Sequence, residues 1–455
     1  VSIIGDGSFA NGLALSSLNY LAGNKKDKVI IIMNDNEMSI SKNVGGIAKK
    51  FSGIRIKKSY QLFRKITFRF VREGLKALVY HHNIFTSLGF KYLGPIDGHD
   101  MKELVTYLNY AKNYNESIVL HIKTKKGKGY PYSERDNVGS WHGVGPFDIA
   151  SGKSLKSVPN GFISYSNLVG KLLLEKVNNN KDIKVITPAM TYGCGLEIIR
   201  QEHKDQIIDV GINEELALLI AASMSRNGVV PVVSIYSTFI QRAYDELNND
   251  INRSSNHVVI LLDRSGIVPS DGATHQGIYD IALFNHLNNF IVSMPSNGSE
   301  LNALLDIAIG ETKPFVIRYP KNYTTDEVND ISLSVGKWNV VRPVSKTNVI
   351  TYGVDVVEFN EEINKSGKDI GLINAIFIKP IDTDLLDSLN NTNLVIYEQV
   401  IEASSLGEII EKYIFENGLN IKVTRHFVKD KVREGTIDEI KDLNDLNISK
   451  IVSEL

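Results

Sequence analysis

The chain of 455 residues lacks several features that mark specialised classes of protein. It has one cysteine, Cys194, which excludes an intrachain disulfide framework and fits a reducing compartment. Its formal net charge of −1 provides no overall field to attract nucleic acid or an anionic membrane. Its apolar runs, such as residues 229–235, are far shorter than the roughly 20 residues of a membrane-spanning helix. These absences favour a cytoplasmic globular protein that binds neither nucleic acid nor membrane.

The rest of the composition is that of an ordinary globular protein, with 43% apolar and 23% charged residues. The length predicts two to four domains, each with a sizeable core. Short apolar runs alternate with helical patterns along most of the chain, which is typical of α/β proteins.

Two polar clusters near the start follow apolar runs. Residues 1–4 and 29–33 predict strands, and residues 12–22 between them predict a helix. Such a crossover is right-handed and parallel, and near-continuous apolar strands suit a sheet covered on both faces. Gly5-Asp6-Gly7 and Asn34-Asp35-Asn36 therefore come together at the carboxyl edge of the sheet, where open α/β sheets bind ligands.

The chemistry of these clusters indicates a metal and a diphosphate. A carboxylate, an amide oxygen and a nearby main-chain carbonyl, which these clusters bring together, are hard ligands that suit Mg²⁺. Gly5 and Gly7 let the backbone turn sharply and approach a diphosphate closely. Each cluster taken singly is also compatible with an ordinary turn or loop cap. Their pairing at two strand ends favours a metal–diphosphate site.

Further along, the sequence predicts an exposed basic connection over residues 43–80 and a Gly- and Pro-rich loop over residues 88–100. Asp100 is placed to cap a helix over residues 102–113. A strand over residues 117–124 leads into Lys126-Gly127-Lys128-Gly129, which presents charge and backbone N–H groups to a phosphate or forms a solvated basic turn. A linker is expected over residues 146–161.

The α/β alternation then resumes in two further segments. In the second segment we expect helices at residues 165–177, 214–225 and 239–247, and strands at 185–187, 207–210, 229–235 and 258–262. In the third segment, which begins near residue 333, we expect strands at 347–352, 370–374 and 393–397 and a helix at 405–416.

A series of motifs in order resembles one enzyme family. Residues 209–214, 235–245, 263–268 and 271–277 resemble the 1-deoxy-D-xylulose 5-phosphate synthases, which are thiamine diphosphate-dependent members of the transketolase-like superfamily. Residues 34–40, 94–100, 126–129 and 318–320 are similar to that family too. The resemblance covers essentially the whole chain and weakens in the third segment.

The resemblance implies a fold of three α/β domains with parallel or mixed sheets. It implies a cofactor diphosphate and Mg-binding domain over residues 1–150, a linker over 151–161, a pyrimidine-binding domain over 162–325 and a C-terminal domain over 330–455. Because the chain starts with Val1 inside a strand, we expect the first domain to be truncated at its amino end. Residues 1–455 alone are then expected to be inactive or poorly folded in that domain.

The resemblance also assigns residue roles. Thiamine diphosphate and Mg²⁺ are the implied cofactors, with Mg²⁺ bound by Asp6, Asn36 and the main-chain oxygen of Met38. Lys126 would contact the diphosphate, Phe239 would stack on the pyrimidine, and Glu214 would bond the aminopyrimidine ring. Three residues would line the substrate cleft, namely His142, His275 and Asp271. Three others would hold the substrate phosphate, namely Tyr236, Arg242 and Arg318.

The implied reaction is the decarboxylating condensation of pyruvate with D-glyceraldehyde 3-phosphate, by a homodimer that serves isoprenoid and thiamine synthesis. Two alternatives are a transketolase-type ketol transfer and a non-catalytic cofactor-binding paralogue. The chain departs from the family pattern after Glu214, where Glu215-Leu216 replaces Gln-His. Retention of Asp6, Asn36 and Glu214 nevertheless argues against the non-catalytic paralogue, and Arg242 with Arg318-Tyr319-Pro320 favours the synthase over a transketolase.

Overall fold

A computed structural model describes residues 1–24, 26–36, 83–155, 158–429 and 432–455. The expected basic connection over residues 43–80 lies outside the described residues, as does Met38. The chain forms two compact units, the first made of Val1–Lys156 with Asp209–Asn213 and the second of Ser157–Ile208 with Glu214–Leu455.

The first unit contains a four-stranded parallel sheet in the order β1-β2-β4-β3. Its strands are β1 (Ser2–Gly5), β2 (Ile30–Asp35), β3 (Lys91–Asp97) and β4 (Ile118–Lys123). Its helices are α1 (Asp6–Phe9), α2 (Gly12–Gly23), α3 (Ile84–Ser87), α4 (Met101–Asn113) and α5 (Pro131–Glu134). The predicted crossover from β1 to β2 is confirmed, and Asp100 caps α4 by accepting from two backbone N–H groups.

Both faces of this sheet are covered, as the apolar strands predict. Ile31 and Met33 of β2 pack with Phe9 and Phe85 on one face. Because side chains alternate along a strand, the intervening Ile30 and Ile32 lie on the other face, against the cluster that includes Leu120. The sheet is therefore a layer covered on both faces.

The expectation of a loop over residues 88–100 is wrong in part, because β3 occupies seven of those residues. Gly94 and Pro95 are strong turn signals, but β3 is the edge strand of the sheet, where proline is tolerated. The register shifts between Leu93 and Ile96, so the Gly-Pro pair is accommodated as an irregularity in the ladder. Pairing with β4 thus overrides the local turn preference.

The second unit opens with a seven-stranded sheet in the order β16-β10-β11-β9-β8-β6-β7. Its strands are β6 (Ile183–Thr187), β7 (Ile207–Asp209), β8 (Val230–Tyr236), β9 (Val259–Asp263), β10 (Ile291–Ser293), β11 (Phe315–Arg318) and β16 (Phe377–Lys379). Strands β6, β8, β9, β11 and β10 are parallel, whereas β16 is antiparallel to β10. A short antiparallel pair, β5 (Phe162–Ser164) with β12 (Tyr323–Thr325), lies apart from it.

The helices of this segment follow the predicted alternation. They are α6 (Tyr165–Asn179), α7 (Glu197–Glu202), α8 (Glu214–Ser225), α9 (Ser237–Ile240), α10 (Asp280–Asn285) and α11 (Gly298–Gly310). The helix expected over residues 239–247 is interrupted, because α9 gives way to a 3₁₀ turn at Gln241–Ala243 and then to a π-helix at Glu246–Asn252. Such irregular turns are frequent at functional sites.

The last sheet has five strands in the order β13-β15-β14-β17-β18, with β13 antiparallel and the others parallel. The strands are β13 (Asn339–Arg342), β14 (Thr347–Thr351), β15 (Gly371–Asn374), β17 (Asn393–Ile401) and β18 (Lys422–Val428). The helices are α12 (Asp355–Ser366), α13 (Thr383–Ser388), α14 (Leu406–Glu416), α15 (Ile437–Leu443) and α16 (Ile448–Glu454). The expectation of parallel or mixed sheets in an α/β fold is confirmed.

Two features join the seven-stranded and five-stranded sheets within the second unit. Strand β16, which lies between β15 and β17 in the chain, adds to the edge of the seven-stranded sheet. Ile267 and Ile278 are buried in the same core cluster as Val349 of the five-stranded sheet. In the part of the chain that the structure describes, no helix has the length and apolarity needed to cross a membrane.

Candidate active site

The two polar clusters of the first unit lie at one edge of its sheet. Gly5 of β1 pairs with Asn34 of β2, so Asp6 and Asn36 follow side by side at the carboxyl ends of neighbouring strands. The side chain of Asp6 lies beside that of Asp35, and its charge acts on the ammonium of Lys126. The sequence therefore brings the expected diphosphate and metal residues together, apart from Met38, which lies outside the described residues.

A buried polar triad, which was not predicted from the sequence, lies behind this edge. His121 Nε2 is 2.9 Å from Asp35 Oδ2, and His121 Nδ1 is 2.5 Å from the hydroxyl oxygen of Tyr92. His121 and Asp35 are both buried. Burial raises the pKa of the Asp35 carboxyl, but the hydrogen bond and the charge of His121 outweigh it and hold that pKa at about 2. The triad holds the side chain of Asp35 at the end of β2, directly before Asn36.

Lys126 and His142 are also neighbours, with 3.3 Å between Lys126 Nζ and His142 Nδ1. Burial lowers the pKa of Lys126, against the opposing charges of Asp136 and Asp6. The glycine turn after Lys126 is braced by a carboxylate, because Gly129 N–H donates to Glu134 Oε1 at 2.8 Å. The turn thus presents the positive charge of its lysines, whereas the backbone N–H of Gly129 is already bonded to Glu134.

In the second unit, Glu214 is the first residue of α8 and its side chain is 2% exposed. Arg242 Nη1 lies 3.1 Å from Glu214 Oε2. Among the described residues, that oxygen has no hydrogen-bond partner. Burial raises the pKa of the Glu214 carboxyl, and the Arg242 charge offsets part of the effect. A buried carboxyl with spare accepting capacity is suited to a ligand that donates a proton or a hydrogen bond.

Three of the expected residues form an aromatic group beside β8. The rings of Phe239 and Tyr236 stack at 5.8 Å with 20° between their planes, and Phe239 meets His275 edge-on at 5.5 Å. Tyr236 ends β8, and Phe239 lies in α9 directly after it. The Tyr236 hydroxyl packs on Gly193, where an added Cβ would lie 1.8 Å from the hydroxyl oxygen. Glycine is therefore required at position 193.

A cluster of opposite charges adjoins Tyr236. The guanidinium carbon of Arg264 lies 4.0 Å from the centre of the Tyr236 ring, and Arg264 also forms an ion pair with Asp271. Lys321 Nζ reaches the other oxygen of Asp271 at 2.6 Å. Sequence reasoning assigned Asp271 and Tyr236 but missed Arg264 and Lys321. The available signal was a basic residue soon after a strand end, since Arg264 directly follows β9 and Lys321 comes three residues after the end of β11.

The backbone marks Arg264 as unusual. Its φ angle is +61°, in the left-handed region that costs a non-glycine residue about 1–3 kcal/mol. Such strain persists only where the surroundings enforce it, and it concentrates at functional sites.

The placement of Arg318 corrects the role expected for it. Its side chain is 1% exposed and makes two hydrogen bonds to Asp280, 2.8 Å from Nε and 2.9 Å from Nη2. The guanidinium also lies over the ring of Tyr352, at 5.7 Å from the centroid. Because these contacts enclose it, Arg318 is a structural residue and is not placed to bind substrate phosphate. Arg242, expected at the same phosphate, instead contacts Glu214.

Family models match three consecutive parts of the chain. The N-terminal model of 1-deoxy-D-xylulose-5-phosphate synthase matches residues 1–124. The pyrimidine-binding domain of transketolase matches residues 162–326, and the C-terminal domain of transketolase matches residues 336–451.

Solved structures show the same fold. A chain described as "Split gene transketolase, inactive beta4 tetramer" superposes with a TM-score of 0.55 at 22% identity, over 64% of this chain and 97% of that one. The transketolase from Campylobacter jejuni superposes with a TM-score of 0.55 at 16% identity, over 99% of this chain and 76% of its own. The architecture is therefore transketolase-like.

Curated relatives narrow the assignment. The 1-deoxy-D-xylulose-5-phosphate synthase of Clostridium tetani is 36% identical over 479 residues, which is 100% of this chain and 77% of the relative. The protein of the same name from Bacillus velezensis is 36% identical over 481 residues, covering 99% of this chain and 75% of the relative. With this identity over the whole chain, the chain belongs to the 1-deoxy-D-xylulose-5-phosphate synthase family of transketolase-like transferases.

Proposed function

We propose that this chain catalyses the thiamine diphosphate- and Mg²⁺-dependent condensation of pyruvate with D-glyceraldehyde 3-phosphate, giving 1-deoxy-D-xylulose 5-phosphate and CO₂. The observation that carries the proposal is the buried carboxyl of Glu214, whose Oε2 is ion-paired with Arg242 at 3.1 Å but accepts no hydrogen bond among the described residues. A buried acceptor left in this state is costly unless a ligand completes it. The aminopyrimidine ring of thiamine diphosphate is such a ligand.

The residues of the first unit suit a diphosphate and a metal ion. Asp6 and Asn36 supply the oxygen ligands that Mg²⁺ prefers when it also binds phosphate oxygens, and Met38 would add its main-chain oxygen. Gly5 and Gly7 flank the metal-binding carboxylate, and no atom lies within 4 Å of a Cβ built on Gly5, so a diphosphate has room to approach. Lys126, whose ammonium responds to the charge of Asp6, supplies a cation for the diphosphate.

When bound, thiamine diphosphate supplies the nucleophilic carbon that adds to pyruvate and makes loss of CO₂ feasible. Glu214 holds a proton at its carboxyl oxygen or accepts a hydrogen bond from the pyrimidine, and its raised pKa favours the protonated form. Arg242 Nη1 lies 3.1 Å from Glu214 Oε2, and its charge limits the rise in the pKa of Glu214. The carboxyl can therefore also lose its proton. Phe239 offers a ring face for the pyrimidine to stack on.

The charged cluster around Asp271 suits the phosphate of the aldehyde. Arg264 and Lys321 both contact Asp271, which serves as their counter-ion when no anionic substrate is bound. A phosphate group competes for the same two cations, and the planar guanidinium of Arg264 matches two of its oxygens. Tyr236 holds Arg264 by a cation–π contact and adds a hydroxyl.

His275 and His142 are proposed to move protons at the substrate. His275 lies against Phe239, and its Nδ1 is 3.0 Å from the hydroxyl oxygen of Thr274. His142 contacts Lys126 in the first unit. Imidazole is the side chain whose ordinary pKa allows both protonation states near neutral pH.

The proposal extends to the domain division, with a cofactor diphosphate domain over residues 1–150, a linker over 151–161, a pyrimidine-binding domain over 162–325 and a C-terminal domain over 330–455. It also includes a cytoplasmic homodimer whose product feeds isoprenoid and thiamine synthesis.

The test is a donor comparison. The protein is incubated with thiamine diphosphate, Mg²⁺ and D-glyceraldehyde 3-phosphate, and either pyruvate or a ketose phosphate is supplied as donor. Turnover by residues 1–455 would overturn the expectation, drawn from the sequence, that they are inactive alone. On the proposed function, turnover gives CO₂ and 1-deoxy-D-xylulose 5-phosphate with pyruvate only, and both are lost when Mg²⁺ is chelated. Turnover of the ketose phosphate without CO₂ would establish a transketolase-type ketol transfer instead, and thiamine diphosphate binding without turnover of either donor would indicate a non-catalytic paralogue.

A further inference from the structure

A buried carboxylate lies directly behind Arg264 and has no part in the mechanism above. Asp263 is the last residue of β9 and is completely buried. Ser166 Oγ donates a hydrogen bond to Asp263 Oδ2 at 2.7 Å. The backbone N–H of Arg264 and the thiol of Cys194 also interact with this carboxylate. It is therefore held by groups from three separate places in the chain.

Ser265, the residue after Arg264, is also held by hydrogen bonds. Ser265 Oγ donates to Asp280 Oδ2 at 3.0 Å, and Ser265 N–H donates to Tyr319 O at 3.0 Å. Arg264 is thus a strained residue, with φ of +61°, between two immobilised neighbours. If the hydrogen bonds of Asp263 or of Ser265 were lost, the backbone of Arg264 could relax toward the ordinary right-handed region. Its side chain would then leave the surface of Tyr236.

Burial destabilises the ionised form of Asp263. It raises the pKa of the Asp263 carboxyl to about 6, against the charge of Arg264 and the hydrogen bond from Ser166. An apolar residue of similar size would fill the same space without that penalty, but it would leave Ser166 Oγ without its acceptor and would remove the negative charge that acts on Arg264. The position thus needs a carboxylate more than it needs packing.

We infer that Asp263, oriented by Ser166, is a positioning residue that holds Arg264 in its left-handed conformation and so places the Arg264 guanidinium for the phosphate of the acceptor aldehyde. The inference rests on the proposed function, because it concerns the phosphate subsite of that reaction. It adds two residues, Asp263 and Ser166, that touch neither substrate nor cofactor.

The test measures phosphate recognition separately from stability and from turnover. Calorimetry with the full chain and glycerol 3-phosphate, a phosphate ester that does not react, gives the affinity, and thermal unfolding of each variant gives its stability. We expect Asp263→Asn to weaken binding about tenfold and Ser166→Ala about threefold. Val349→Ala, a buried change in β14 of the five-stranded sheet, is the control that lowers stability without altering affinity.

A double variant tests whether Ser166 acts through Asp263. If it does, Ser166→Ala has no further effect on glycerol 3-phosphate affinity in the Asp263→Asn background. Should Asp263→Asn fail to fold, Ser166→Ala by itself decides, since wild-type affinity in that variant would overturn the inference. In the active enzyme, the same variants should raise KM for D-glyceraldehyde 3-phosphate while leaving KM for unphosphorylated D-glyceraldehyde unchanged.

The experiment distinguishes failure of the positioning inference from failure of the proposed phosphate subsite. If wild type binds glycerol 3-phosphate and Asp263→Asn binds it equally well while losing stability, Asp263 is only structural and the inference is overturned. If wild type itself does not bind glycerol 3-phosphate, the phosphate subsite of the proposed function is wrong, and the positioning role is overturned with it.

Discussion

The buried pair of Arg318 and Asp280 offers a decisive perturbation, because sequence and structure give Arg318 different roles. Replacing Arg318 by Met keeps most of the side-chain volume but removes two hydrogen bonds of 2.8 and 2.9 Å from a carboxylate that has no solvent exposure. Asp280 would retain Ser265 Oγ at 3.0 Å and the N–H of Ile281 at 2.9 Å, with no cation to balance its charge.

The magnitude follows from this geometry. Leaving one member of a buried ion pair without its partner costs about 3–5 kcal/mol. At roughly 2–4 °C per kcal/mol for a domain of this size, Arg318→Met should lower the melting temperature by about 10 °C. Removing both charges, as in Arg318→Met with Asp280→Leu, should recover most of that loss, because an apolar pair avoids the desolvation penalty.

The assay is differential scanning calorimetry of the full chain, together with glycerol 3-phosphate titration. Lys321→Met is the matched contrast, because the side chain of Lys321 is 36% exposed and its ion pair with Asp271 stabilises by only about 0–1 kcal/mol. It should scarcely change the melting temperature but should weaken phosphate binding. The reasoning is refuted if Arg318→Met leaves the melting temperature unchanged and abolishes glycerol 3-phosphate binding, since Arg318 would then be a phosphate ligand.

Three further predictions concern Glu214, Asp35 and Asp6. Glu214→Gln should lower kcat by about 10²–10⁴, whereas Glu215→Gln should stay within a few-fold of wild type in the same synthase assay; equal rates for Glu214→Gln and wild type would exclude proton transfer by Glu214. Because the pKa of Asp35 is lowered to about 2 in the folded chain, its stabilisation is present above about pH 4 and is lost as pH falls through 2. At 1.36 kcal/mol per pKa unit, urea unfolding at pH 5 and 2.5 should show that Asp35→Asn removes roughly 2 kcal/mol of this dependence, and a wild-type pH dependence in the variant would contradict it. Asp6→Asn should abolish the rise in melting temperature that thiamine diphosphate with Mg²⁺ produces, about 2.7 kcal/mol at 100 times Kd, and a full rise in that variant would remove Asp6 from the metal site.

Much of the fold was predictable from local pattern. The apolar runs before Asp6 and Asn36 form the expected parallel strands, and Glu214–Ser225 is a helix with the bounds that its sequence indicates. These predictions hold because strand and helix periods are properties of the local sequence, and because a short parallel crossover has one preferred hand. The loop expected over residues 88–100 was wrong where sheet pairing at an edge overrode the Gly-Pro turn signal.

The site divides in the same way. Glu214, Phe239, Tyr236, His275 and Asp271 could be named only because the motifs around them resemble one family in order.

The sequence alone determined the family pattern, the α/β alternation and the residue types available to bind a cofactor. Only the tertiary structure decided which arginine faces the site. Arg318 and Arg264 each follow an apolar run and look equivalent in sequence, yet Arg318 is enclosed with Asp280 while Arg264 lies over Tyr236 beside Asp271. The reason is physical: the side of a strand on which a side chain lies, and the carboxylate it meets, depend on sheet register and on contacts between residues far apart in the chain, which local sequence does not encode.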